Sequence, residues 1–147
     1  MKKTLIVIII MIIPILSFSQ SGIGIRGIFG YSGASYGGGA LSYQNIGKYE
    51  INGAWNSNGY GLSALKLFEL VDADAITFYT GIGAGGASFD FNDFQAAIIG
   101  DIGMSVLLGP IQFSIDWRPE YEIINPDSYP WRFNFGFAVR FMFPERG

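Results

Sequence analysis

Apolar and polar positions alternate along most of this chain, and the alternation is cleanest at its end. In "WRFNFGFAVRFMF", residues 131 to 143, the odd positions are Trp131, Phe133, Phe135, Phe137, Val139, Phe141 and Phe143. The even positions are Arg132, Asn134, Gly136, Ala138, Arg140 and Met142. A period of two is the signature of a strand with two unlike faces, whereas a helix would scatter these phenylalanines around its circumference. The preceding segment, "IQFSIDWRPEY", repeats the pattern: Ile111, Phe113, Ile115 and Trp117 oppose Gln112, Ser114, Asp116, Arg118 and Glu120. One face carries only hydrocarbon-like groups and the other carries ions.

The same period runs backwards through the chain. A strand over about 96 to 108 sets Ile98, Ile102, Met104, Val106 and Leu108 against Asp101, Gly103 and Ser105. "ITFYTGIGAG" sets Ile76, Phe78, Ile82 and Ala84 against Thr77, Tyr79, Gly81 and Gly83, and "YEINGAWNS" sets Tyr49, Ile51 and Trp55 against Glu50, Asn52 and Asn56. "IGIRGIFGY" sets Ile23, Ile25 and Phe29 against Gly24, Arg26 and Gly30. A Gly-rich strand is expected over about 36 to 44 and another over about 60 to 69. In the latter, Lys66 falls on the apolar face with Tyr60, Leu62, Ala64 and Phe68, so either a bulge moves it or its stem carries the ammonium to an interface.

Eight such strands are all-β, and their lengths suit tilted crossings of a bilayer. An open sheet edge is not tolerated in hydrocarbon, so the expectation is an eight-stranded antiparallel up-and-down transmembrane β-barrel whose narrow interior is filled by side chains. With both termini at one end, the turns at 44–48, 69–75 and 109–110 belong to that inner end. The loops at 31–36, 56–59, 86–95 and 121–130 belong to the outer end. Tyr31, Tyr121, Tyr129 and Trp131 then mark the outer rim, and Tyr43, Tyr49, Phe141 and Phe143 the inner. A soluble lipocalin-type barrel is the alternative, with the faces reversed; the aromatic face of the last strand is too bulky for one small lumen.

Composition sharpens this. Half of the 147 residues are hydrophobic and 14% are charged, against about 25% charged in soluble domains, so part of the surface is not expected to meet water. The opening "MKKTLIVIIIMIIPILSFSQ" has two lysines, an apolar run from Leu5 to Leu16, and Ser17 and Ser19 at the small-residue positions of a cleavage site. Residues 1–19 read as a cleaved signal peptide and 20–147 as one barrel domain. Without Lys2 and Lys3 the acids outnumber the bases further, which is no footprint for nucleic acid. There is no cysteine and no histidine. The first excludes disulfides and cysteine-bound metals; the second removes the commonest general base. The chain reads as a non-enzyme.

Two motifs are weighed and set aside. "GIGAGG", residues 81 to 86, matches a dinucleotide fingerprint, but no helix follows to receive a pyrophosphate, so its glycines read as thinning a barrel wall. "DFNDF", residues 90 to 94, lacks the Gly and Glu of a calcium loop, whose places fall on Gln95 and Asp101. No cofactor and no metal is expected.

The run "IIGDIGMSVLLGPIQFSIDWRPEYEI", followed by "FNFGFAVRFMF", resembles small bacterial outer-membrane barrels of the OmpA/OmpX type. The likeness covers nearly the whole chain after the leader. It implies integration in the outer membrane of a Gram-negative bacterium, periplasmic termini, contact with outer-membrane lipid and lipopolysaccharide, and assembly by the barrel-assembly machinery as a monomer. It departs from the type at its end, where Pro144 to Gly147 follow Phe143 in place of a terminal aromatic residue.

The inward positions carry Arg26, Arg118, Arg132 and Arg140 against Glu50, Asp101, Asp116 and Glu120, four of each sign. Charges confined in a narrow lumen must be paired, so a structural plug is expected, with Arg118 at the centre of an upper cluster that takes in Asp116 and Glu120 on its own strand, Asp101 on strand six and Arg132 on strand eight. A narrow small-solute channel is the alternative, although a selective pore favours an excess of one sign. Phe89, Phe91, Phe94, Tyr121 and Tyr129 are candidate contact residues in the outer loops.

Overall fold

The computed structural model describes residues 21–30, 39–45, 48–56, 59–89, 93–124 and 130–143. The leader 1–19, Tyr31, Phe91, Tyr129 and Pro144 to Gly147 lie outside the described residues, as do the side chains of Tyr43 and Phe89. The described chain is all-β: β1 (Ser21–Gly30), β2 (Gly39–Asn45), β3 (Tyr49–Asn56), β4 (Gly59–Ala73), β5 (Ile76–Phe89), β6 (Asp93–Leu108), β7 (Ile111–Ile124) and β8 (Trp131–Phe143). Each strand pairs antiparallel with the next in sequence, and β8 pairs back onto β1 from Ser21↔Phe143 to Gly30↔Asn134, closing a barrel.

The closure is staggered. Cross-strand partners lead from Phe141 through Ile23, Tyr43, Ile51, Ala64, Ala84, Ile98 and Tyr121 back to β8 at Trp131, so one circuit shifts the register from position 141 to position 131. In a sheet of this width that stagger tilts the strands by roughly 40° to the barrel axis. Each residue then climbs the axis by about 2.5 Å.

Several boundaries differ from the sequence expectation. β4 and β5 zip further, to Ala73↔Ile76, so the turn expected at 69–75 shrinks to Asp74 and Ala75. Asp74 takes φ 54°, a left-handed geometry that Asp tolerates better than most residues. At the other end β5 reaches Phe89, β6 begins at Asp93 and β7 runs to Ile124. Phe94 and Tyr121 are therefore strand residues and not loop residues, because continued pairing there satisfies the backbone. Of the strand expected over about 36 to 44, the part before Gly39 lies outside the described residues. The bulge in β4 lies between Glu69 and Val71, past Lys66, so it does not turn Lys66 inward: Lys66 is exposed on the outer face.

The two faces are sharply unlike. Ile25, Phe29, Trp55, Leu62, Phe135 and Phe137 are exposed on the outside, Trp55 at 70%. Arg26, Gln44, Glu50, Gln112, Arg118 and Arg140 are buried inside at 2% or less. β7 and β8 alternate exposed and buried almost without interruption. This is the reverse of the faces that a lipocalin-type barrel calls for.

Candidate functional site

Alternation brings one polar side chain inward every second residue, and the stagger decides which strands meet at one height. At mid-height, Glu50 from β3 receives three guanidiniums. Arg26 Nη1 donates to Oε1 at 3.1 Å, Arg140 Nη2 donates to Oε2 at 2.8 Å, and Arg118 Nη2 also donates to Oε1. Arg118 donates in turn to Asp101 Oδ2 at 2.9 Å and, through Nε, to Asp116 Oδ1 at 3.2 Å. Arg26 Nη2 meets both oxygens of Asp116. Three arginines and three carboxylates thus form one network at the barrel axis, each with a side chain no more than 1% exposed.

Neutral groups finish the cluster. Asn52 Nδ2 donates to Glu50 Oε1 at 2.8 Å. Arg140 Nη1 donates to Ser114 Oγ at 2.8 Å, Gln112 Oε1 at 3.2 Å and Gln44 Oε1 at 3.3 Å. Tyr79 Oη donates to Asp116 Oδ2 at 3.4 Å. These bonds take up many of the spare donors and acceptors, which is what makes so many buried ions tolerable, while Arg26 Nε, Asn52 Oδ1 and Asp101 Oδ1 are left without a hydrogen-bond partner among the described residues.

Glycines make the room. A Cβ on Gly136 would fall on the Arg26 guanidinium and the Asp116 carboxylate, and one on Gly103 would lie 2.6 Å from the Tyr79 ring. In "GIGAGG", a Cβ on Gly81 would lie 2.8 Å from Leu67, one on Gly83 would lie 2.6 Å from Leu65 Cα, and one on Gly85 would lie 2.9 Å from Ile99. That segment is mid-strand in β5, with no helix after it among the described residues. Asp90 and Asn92 lie outside the described residues.

Two expectations about the charges need correction. Arg118 reaches Asp116 and Asp101 as expected, but it is not the one centre: Glu50 holds as many partners from the opposite wall, which only the closed register reveals. Nor does Arg118 form an ion pair with Glu120; its guanidinium is taken up by Glu50, Asp101 and Asp116. Arg132 forms a separate group nearer the outer end, with Nε 2.6 Å from Glu122 Oε1 and Glu120 as its cross-strand partner. Glu122 is buried at 4% and belongs to the inward set, although the sequence reading ended its strand too early to include it. Simple continuation of parity from Gln112 through Glu120 would have found it. Among the described residues the mid-height cluster is balanced, and the extra acid sits in the outer group.

The interior is also not wholly polar. Leu65, Leu67, Tyr79 and Ile99 form a buried apolar cluster against the β4–β6 wall. Of the outer aromatic candidates, Phe94 and Tyr121 are exposed on the outside of the wall, with Tyr121 packed edge-on against Trp131 at 4.9 Å between centroids. A cavity of about 40 Å³ lies outward of the cluster, lined in part by Asn52, Ser63, Ile99, Arg118 and Glu120. It has room for about one to three waters. Chemically, the arrangement closes the lumen by ion pairs.

No protein-family model and no curated protein matches this chain.

Proposed function

We propose that this chain is a non-enzymatic integral outer-membrane protein: an eight-stranded transmembrane barrel similar to the OmpA/OmpX type, plugged by its ion network, with a structural or surface-recognition role. The observation that carries this reading is the segregation of faces. A wall of exposed Ile, Leu, Phe and Trp around an ionic interior suits a lipid environment and suits water poorly. The leader-like segment from Lys2 to Ser19 supports export. Acyl chains and lipopolysaccharide would meet the wall, the barrel-assembly machinery would insert it, and it would act as a monomer. The non-enzymatic reading rests on the lack of His and Cys and on the engagement of Glu50, Asp101 and Asp116 with arginines.

Fractionation of Gram-negative cells expressing the full chain tests the location. The expected result is a shortened chain in the outer membrane. Recovery from the soluble periplasm overturns the reading.

A further inference from the structure

Lys66 stands where a lipid-facing wall should not hold a charge. It is exposed on the outer face of β4, between Tyr49 on β3 and Ile82 on β5 as cross-strand partners. No described carboxylate forms an ion pair with it. From Lys66 the strand continues to Ala73 with one residue absorbed by the bulge, so Lys66 lies roughly 15 Å along the axis above the inner end of β4. That is near the middle of an apolar band about 25 Å tall. A lysine stem does not span that distance.

The neighbouring strand resolves the conflict. β3 starts at Tyr49, directly opposite Lys66, and the last contact between the two strands is Leu67 N–H donating to Lys48 O at 2.9 Å. Past Leu67, β4 has no partner on that side among the described residues, and six consecutive residues from Phe68 to Ala73 are exposed. The β2–β3 connection spans only positions 46 to 48, so this part of the inner rim is notched up to the level of Lys66. Turn backbone and an unpaired strand edge cannot face hydrocarbon. The lipid–water boundary must rise to meet them, and there it finds Lys48, exposed in the turn opposite Leu67 and one position before Tyr49, the cross-strand partner of Lys66.

We infer that the notch is a phospholipid site, in which Lys48 and Lys66 together bind the phosphate of a lipid in the leaflet at the terminus-bearing end, and that the bilayer is pinched thin against this side of the barrel. The inference rests on the membrane reading above. The charge is complementary, and a thinned leaflet is the ordinary response to a short apolar wall.

Lys48 and Lys66 are the lysines that remain once Lys2 and Lys3 are lost, so lysine-selective ¹³C labelling isolates them. The chain lacking residues 1–19 is folded into nanodiscs of phosphatidylcholine and phosphatidylglycerol, and nuclear Overhauser contacts to lipid protons are read. The Lys66 and Lys48 ε-methylenes are expected to contact headgroup protons. In a second sample labelled at isoleucine methyls, those of Ile115, at about the same height on the opposite wall by the register, are expected to contact acyl methylenes alone. Lys66→Gln should weaken the Lys48 headgroup contacts several-fold while the barrel stays folded. Acyl surroundings for Lys66 like those of Ile115 overturn the site and leave the membrane reading standing. Headgroup contacts at Lys48 unchanged by Lys66→Gln overturn the paired phosphate site. A chain that stays in solution as a folded soluble barrel overturns the membrane reading and the inference with it.

Discussion

Glu50 is the residue on which the interior turns. It joins Arg26 on β1, Arg118 on β7 and Arg140 on β8, which no two adjacent strands bring together on their own. Glu50→Gln keeps the volume and removes the charge. Arg140 then faces the neutral Gln44, Gln112 and Ser114, and its charge is left poorly compensated. Breaking a buried pair in this way costs about 3–5 kcal/mol. The double change Glu50→Gln with Arg140→Gln is expected to cost less than the sum of the two single changes, since less charge is stranded. Reversible urea unfolding in lipid vesicles measures all three, and strictly additive losses would show that the two residues do not interact.

At the scale of the element, β8 tests which face meets lipid. Phe137 is exposed outside at mid-strand, while its neighbour Ala138 is fully buried inside between Arg26 on β1 and Ser114 on β7. Phe137→Arg should destabilise the barrel by about 2–4 kcal/mol near the bilayer centre, and Phe137→Leu should do little. Ala138→Leu should cost about 1–3 kcal/mol by overpacking. Unfolding in vesicles reads each, and a neutral Phe137→Arg would mean that this face meets water. β7 and β8 show why the antiparallel barrel was legible: ions and aromatics alternate there, so periodicity alone assigns both faces. β4 shows the limit. Its inward Leu65 and Leu67 are as apolar as its outward Leu62 and Phe68, so periodicity loses contrast and the strand ends blur. The lumen set was legible residue by residue, but its wiring was not. Partners such as Arg26 and Asp116, or Arg118 and Glu50, lie on strands far apart in sequence, and only the stagger at closure decides which of them reach one height.

For the whole molecule, the axial cluster predicts a closed tube. Its arginines and carboxylates are almost fully buried, and the cavity outward of them is small. In planar bilayers the purified protein is expected to give no stable unitary currents. Reproducible conductance steps that vanish on substitution of Glu50 or Arg118 would establish the channel alternative.

The seam between β1 and β8 gives that cluster a second consequence. A slip of one residue at the seam turns every side chain to the wrong face, and the greasy wall itself would resist it. A slip of two keeps every face correct, and the outer surface cannot tell such a barrel from the right one. The interior can. Arg26–Asp116, Arg118–Glu50 and Arg140–Glu50 all span the seam, and a two-residue slip draws their backbones about 6.5–7 Å out of line. Ions that contribute little net stability when correctly paired become heavily unfavourable when stranded, so the lumen proofreads the ring at the moment it shuts.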